Sequence, residues 1–108
     1  MIISGGSNVY PREVEEVLAL HPQVFEVCVV GEADAEWGES VVAFVVTRDN
    51  QPLDERSLTA WFIERMASFK KPKKYLFLDE LPKNSYGKVL KTTLRQRLQE
   101  AADTVVAP

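Results

Sequence analysis

At 108 residues the chain has room for one domain with a single modest core, not for a large enclosed catalytic pocket. Thirteen Lys and Arg against sixteen Asp and Glu leave a net charge of −3, which gives no ground for general nucleic-acid affinity. The one cysteine, Cys28, excludes an internal disulfide and any zinc site built on several cysteines of one chain. No apolar run reaches the ~20 residues needed to span a bilayer and no signal peptide is visible, so a soluble, cytoplasmic domain is expected.

In chain order, MIISGGSNVY sets Gly5-Gly6 between two short apolar pieces, which predicts a turn or hairpin tip. Pro11 suits a first helical turn, and Glu13, Glu15 and Glu16 place negative charge at the positive end of the helix dipole. With Val14, Val17 and Leu18 on one face and Pro22 beyond, a helix is predicted from about Pro11 to Leu20. VFEVCVV (24–30) predicts a strand, and Cys28 within it reads as a small buried hydrophobe. GEADAEWGE predicts a polar loop and SVVAFVVT (40–47) a second strand. Its unbroken apolarity implies cover on both faces.

RDNQP predicts a turn, and Leu58, Trp61, Phe62 and Met66 form a helical stripe between Asp54 and about Met66. SFKKPKK predicts a basic connector, YLFLDE a third strand and LPKNSYGK a turn-rich loop. Leu90, Leu94 and Leu98 mark a last helix, and the tail at 101–108 is expected to be disordered. The sum is an α+β domain over residues 1–100, a mixed sheet of about three strands flanked by helices, with a short N-terminal hairpin.

Three stretches rise above the scaffold. Ser4-Gly5-Gly6 would let a backbone approach a ligand closely, although a plain turn is the simpler reading of the glycines alone. The four lysines around Pro72 could meet phosphates, although charge runs usually face water. Lys88, preceded by Gly87, is a flexible point charge on an exposed loop. At a helix start it would sit at the unfavourable end of the dipole. His21 has no partner at metal-ligand spacing and no metal site is expected. Trp37 fits an interface anchor or packing over the sheet edge equally well.

Taken together, MIISGGSNVYPREVEEVL, HPQVFEVCVVGEADAEWGESVVAFVV and FKKPKKYLFLDELPKNSYGKVLKTTLR resemble the small C-terminal domain of AMP-forming acyl-CoA synthetases, over roughly residues 1–98. The resemblance implies a lid for a larger N-terminal domain, in an enzyme that activates a carboxylate with ATP and Mg and passes the acyl group to coenzyme A. None of these ligands is expected to bind the isolated domain tightly. By the resemblance, Lys88 serves adenylation, Gly87 supports its loop, and Ser4, Gly5 and Gly6 line the channel for the pantetheine arm. Acetylation of Lys88 would then silence the first step.

The same resemblance implies that Met1 lies at an internal hinge and that the chain alone is inactive. Two alternatives stay open: the lid of an enzyme that loads a carrier protein, and an interaction module of the same fold without catalysis.

Overall fold

The computed structural model describes residues 1–50 and 53–105. A hairpin of β1 (Ile2–Ser4) and β2 (Ser7–Val9) opens the chain and is followed by α1 (Pro11–Ala19). Then come β3 (Val24–Asp34), β4 (Gly38–Thr47), α2 (Glu55–Ile63), β5 (Lys74–Phe77) and α3 (Lys91–Val105). The strands form one mixed five-stranded sheet in which β4 is central. β3 lies antiparallel along one edge of β4, from Val24↔Thr47 to Asp34↔Gly38. On the other edge β5 runs parallel to β4, and β1 joins antiparallel at Ser4↔Gly38. The three predicted strands and the N-terminal hairpin are therefore parts of a single sheet.

The apolar run of β4 divides by parity, as successive side chains on a strand must. Val41, Ala43 and Val45 are buried with Val14 and Leu18 of α1 and Leu58 and Phe62 of α2. Val42, Phe44 and Val46 are buried with Leu94 and Leu98 of α3. Helices thus cover both faces, and Cys28 lies in the core beneath α3, where burial pushes its thiol up to about 11.

Local chemistry sets the helix ends. Pro11 is the first residue of α1, and the Asp54 carboxylate accepts from Ser57 N at 2.7 Å to cap α2. Just beyond α1, His21 Nδ1 accepts from Gln23 N at 3.0 Å and its ring meets Trp61 edge-on. A register shift between Val24 and Glu26 turns Phe25 outward, beneath Arg48.

Several boundaries differ from the sequence reading. GEADAEWGE is largely strand, because β3 continues to Asp34 and β4 starts at Gly38. Polar residues suffice there because Glu32 pairs with Lys74 and Asp34 closes the turn. α2 stops at Ile63, three residues early, and β5 ends at Phe77, with Asp79 and Glu80 in a bend. In the turn expected at 48–52, Asp49 adopts φ 51°, while Gln51 and Pro52 lie outside the described residues. Of the tail expected to be disordered, 101–105 continue α3 and 106–108 lie outside the described residues. Among the described residues no helix is long and apolar enough to cross a membrane.

Candidate functional site

The two glycine-bearing loops singled out by sequence emerge toward opposite ends of β4, a strand of ten residues that spans about 30 Å. The β1–β2 turn docks on Gly38 at its start. The loop carrying Lys88 leaves from Leu81 and Pro82, which line a groove with Val46 and Thr47 at its end.

At the first end, Ser4↔Ser7 pairing leaves only Gly5 and Gly6 in the turn, with φ 57° and 81°. Two successive positive φ values match the twist of a two-residue hairpin and favour glycine. Gly5 meets a second constraint. A Cβ on it would lie 2.6 Å from Trp37 Cε3, and its N–H donates to Trp37 O at 2.9 Å. A Cβ on Gly6 would face open space.

Trp37 is held in turn by Asp34, whose Oδ1 accepts from Glu36 N and Trp37 N, both at 2.9 Å. Those two amides, with Lys73 adding a smaller attraction, hold the Asp34 carboxyl below its ordinary value. The Lys73 ammonium sits 3.6 Å from the centre of the Trp37 ring. Trp37 therefore packs between the hairpin and the basic connector, with 45% of its surface still exposed.

The basic connector completes this end. A cavity of about 270 Å³ is lined by Ser4, Gly5, Trp37, Phe69, Lys71 and Lys73, with Ser7 and Ser68. The parallel β4–β5 pairing creates it, since Lys73 N–H donates to Val41 O at 2.8 Å and draws residues 68–73 to the hairpin. The four lysines are not uniformly solvated. Lys70 pairs with Glu13 at 2.7 Å and Lys74 with Glu32 at 3.0 Å. Lys71 has no ion pair among the described residues and faces the cavity with Lys73.

At the other end, Lys83 and Val89 form a bridge that makes Asn84–Lys88 the tip of a small hairpin. Gly87 N–H closes a turn on Asn84 O at 3.0 Å, and Gly87 has φ 82°, the arrangement of a three-residue hairpin loop with a glycine bulge. Asn84 Oδ1 accepts from Tyr86 N at 2.9 Å and Lys88 N at 3.0 Å, and Asn84 N–H donates to Lys88 O at 3.0 Å. Lys88 is exposed and makes no ion pair among the described residues. It stands three residues before α3, whose first residue is Lys91, so the unfavourable dipole placement expected from sequence does not arise. Tyr86 is 94% exposed and leaves the loop packing untouched.

The structure thus brings Ser4, Gly5 and the basic connector together and holds Lys88 apart from them. Lys71 and Lys73 of the lysine run and Trp37, all noticed in the sequence, are brought together as groove walls with Ser4 and Gly5; Asn84 as the centre of the Lys88 loop was missed, its turn-forming character being the local signal. No group of three or more His, Cys, Asp or Glu placed to hold a metal ion occurs among the described residues.

Residues 13–88 match the family described as AMP-binding enzyme C-terminal domain. The chain is 45% identical over 109 residues to a 4-chlorobenzoate–CoA ligase of Pseudomonas sp. (strain CBS-3), covering 100% of this chain and 21% of the ligase. It is 47% identical over 96 residues to a fatty acid–[acyl-carrier-protein] ligase of Streptomyces coeruleorubidus, covering 89% and 18%. Among solved structures it is similar to ATP-bound MatB from Rhodopseudomonas palustris, with 41% identity, a TM-score of 0.84 and coverage of 88% and 19%. The chain therefore spans about a fifth of the length of the curated relatives it matches.

Proposed function

This chain belongs to the AMP-binding enzyme C-terminal domain family, and from that premise we propose that it is the mobile C-terminal domain of an ATP-dependent, AMP-forming acid–thiol ligase. Its partner is the larger N-terminal part of the same polypeptide, which holds ATP with its magnesium and the carboxylate. The setting is the cytoplasm, where ATP and coenzyme A are supplied. In the first step a carboxylate oxygen attacks the α-phosphorus of ATP and pyrophosphate leaves. In the second a thiol sulfur attacks the acyl carbon and AMP leaves.

One observation carries this reading: two differently equipped loops at opposite ends of β4. The Lys88 hairpin offers a long cation with no ion pair among the described residues, suited to a site elsewhere where negative charge develops. The Ser4-Gly5-Gly6 hairpin offers a thin backbone wall beside a cationic, aromatic groove, suited to a pantetheine arm that ends in a phosphorylated nucleotide. Reorientation of the domain between the steps would present first one end and then the other.

The groove favours coenzyme A over a carrier protein as the acceptor. Phe69 supplies an exposed ring for a base, and Lys71 and Lys73 supply charge for phosphate groups. The prosthetic arm of a carrier protein has no adenine and no 3′-phosphate to use them.

The test is to separate the half-reactions in the full-length ligase. Lys88→Ala should slow acyl-adenylate formation about 100- to 1,000-fold, the effect of removing one transition-state contact. Thioester formation from supplied adenylate should stay near wild type. Lys71→Ala should raise KM for coenzyme A while leaving KM for pantetheine unchanged. Equal losses of Lys88→Ala in both half-reactions, or faster transfer to a carrier protein than to coenzyme A, would sink the respective parts.

A further inference from the structure

We propose that Asn84 is a positioning residue for Lys88, fixing the point from which the lysine reaches. This rests on the reading of Lys88 as the lysine of the adenylation step. A lysine side chain has four rotatable bonds, so the volume its ammonium searches is set by where its Cα is held and how its backbone is turned. No ion pair or hydrogen bond holds the Lys88 head among the described residues, so its backbone orients it.

One residue holds both polar main-chain groups of Lys88. Asn84 Oδ1 accepts from Lys88 N at 3.0 Å, and Asn84 N–H donates to Lys88 O at 3.0 Å. The same Oδ1 takes Tyr86 N at 2.9 Å, tying the tip of the loop to the lysine. This exceeds what the turn itself requires. The turn is closed independently by Gly87 N–H to Asn84 O, and its base by the Lys83↔Val89 bridge and by Leu90 N–H to Pro82 O at 2.9 Å. Lys83 is further pinned to Glu26 of β3. Removing the Asn84 side chain therefore leaves a closed hairpin whose Lys88 amide has lost its partner.

The side chain needs only an acceptor oxygen at this position. Aspartate supplies one and alanine does not; glutamine moves it one methylene outward. A misplacement of about 1 Å in a positioned group can cost on the order of 100-fold in rate.

In the full-length ligase, Asn84→Ala should slow adenylate formation about 10- to 100-fold through kcat, with KM for ATP and carboxylate little changed. Thioester formation from supplied adenylate should stay within about two-fold of wild type. Asn84→Asp should restore most of the first step. In a Lys88→Ala background, Asn84→Ala should add no further loss, because the two act as a unit. Asn84→Gln should show the same selective loss, and serves if alanine lowers Tm.

Equal losses in both half-reactions, failure of aspartate to rescue, or full additivity with Lys88→Ala would each overturn the proposal. An impaired Lys88→Ala beside an unimpaired Asn84→Ala would overturn it alone. An unimpaired Lys88→Ala would overturn the underlying reading as well.

Discussion

The hairpins at the two ends of β4 share a device and differ in its chemistry. In each, one short side-chain oxygen accepts two main-chain N–H groups: Asp34 takes Glu36 and Trp37, and Asn84 takes Tyr86 and Lys88. At the Gly5 end the fastened residue is a tryptophan that becomes a wall, packed between a glycine and a lysine. At the Lys88 end the fastened residue is a lysine whose head is left in solvent. The first fastener builds a surface within the domain; the second aims a group out of it. The glycines differ accordingly. Gly5 answers to both backbone angle and space, whereas Gly6 and Gly87 answer to backbone angle alone.

That difference gives the largest expected effect on the fold. Gly5→Ala forces a left-handed residue, costing about 1–2 kcal/mol, and drives a Cβ into the Trp37 ring, adding about 1–3 kcal/mol. Urea denaturation should show a loss of about 2–5 kcal/mol. In a Trp37→Ala background the cost should shrink toward the backbone term, so simple additivity of the two substitutions would break the proposed contact. Gly6→Leu meets open space and should cost about 1–2 kcal/mol in stability. In the full-length ligase it should slow the thioester step and spare adenylation. A normal thioester step would remove Gly6 from the channel.

The contrast between the hairpins was only partly legible in the sequence. The unbroken SVVAFVV run announced burial on both faces, and the structure divides it between α1–α2 and α3 by strand parity. Pro11, Asp54 and the Leu94–Leu98 stripe placed the helices, because capping and periodicity are local. GEADAEWGE read as loop because its polar residues gave no strand pattern; Glu32 is held by Lys74, distant in sequence. The groove escaped for the same reason. SFKKPKK meets Ser4 and Gly5 only through the parallel pairing of β5 with β4, and nothing in either stretch encodes that meeting. Asn84 was visible as a turn former, but not as the acceptor for the lysine four residues on.

The smallest expected effect tests the shared device directly, because only one of the two oxygens can titrate. The Trp37 and Glu36 amides hold the Asp34 carboxyl below its ordinary value of 3.8, while the Asn84 amide has no proton to gain in this range. A carboxylate whose folded pKa is lowered contributes stability that is present above the unfolded value and lost as pH falls through the folded one. Acidification below about pH 3.8 should therefore release the Trp37 turn while the Lys88 turn persists. Trp37 fluorescence should report the loosening, and amide protection should fall at Trp37 while that of Lys88 holds. Asp34→Asn, which keeps the acceptor and removes the titration, should abolish the acid step at Trp37. If Trp37 and Lys88 lose protection together, in both wild type and Asp34→Asn, the acid response belongs to global unfolding and the two fasteners are not independent.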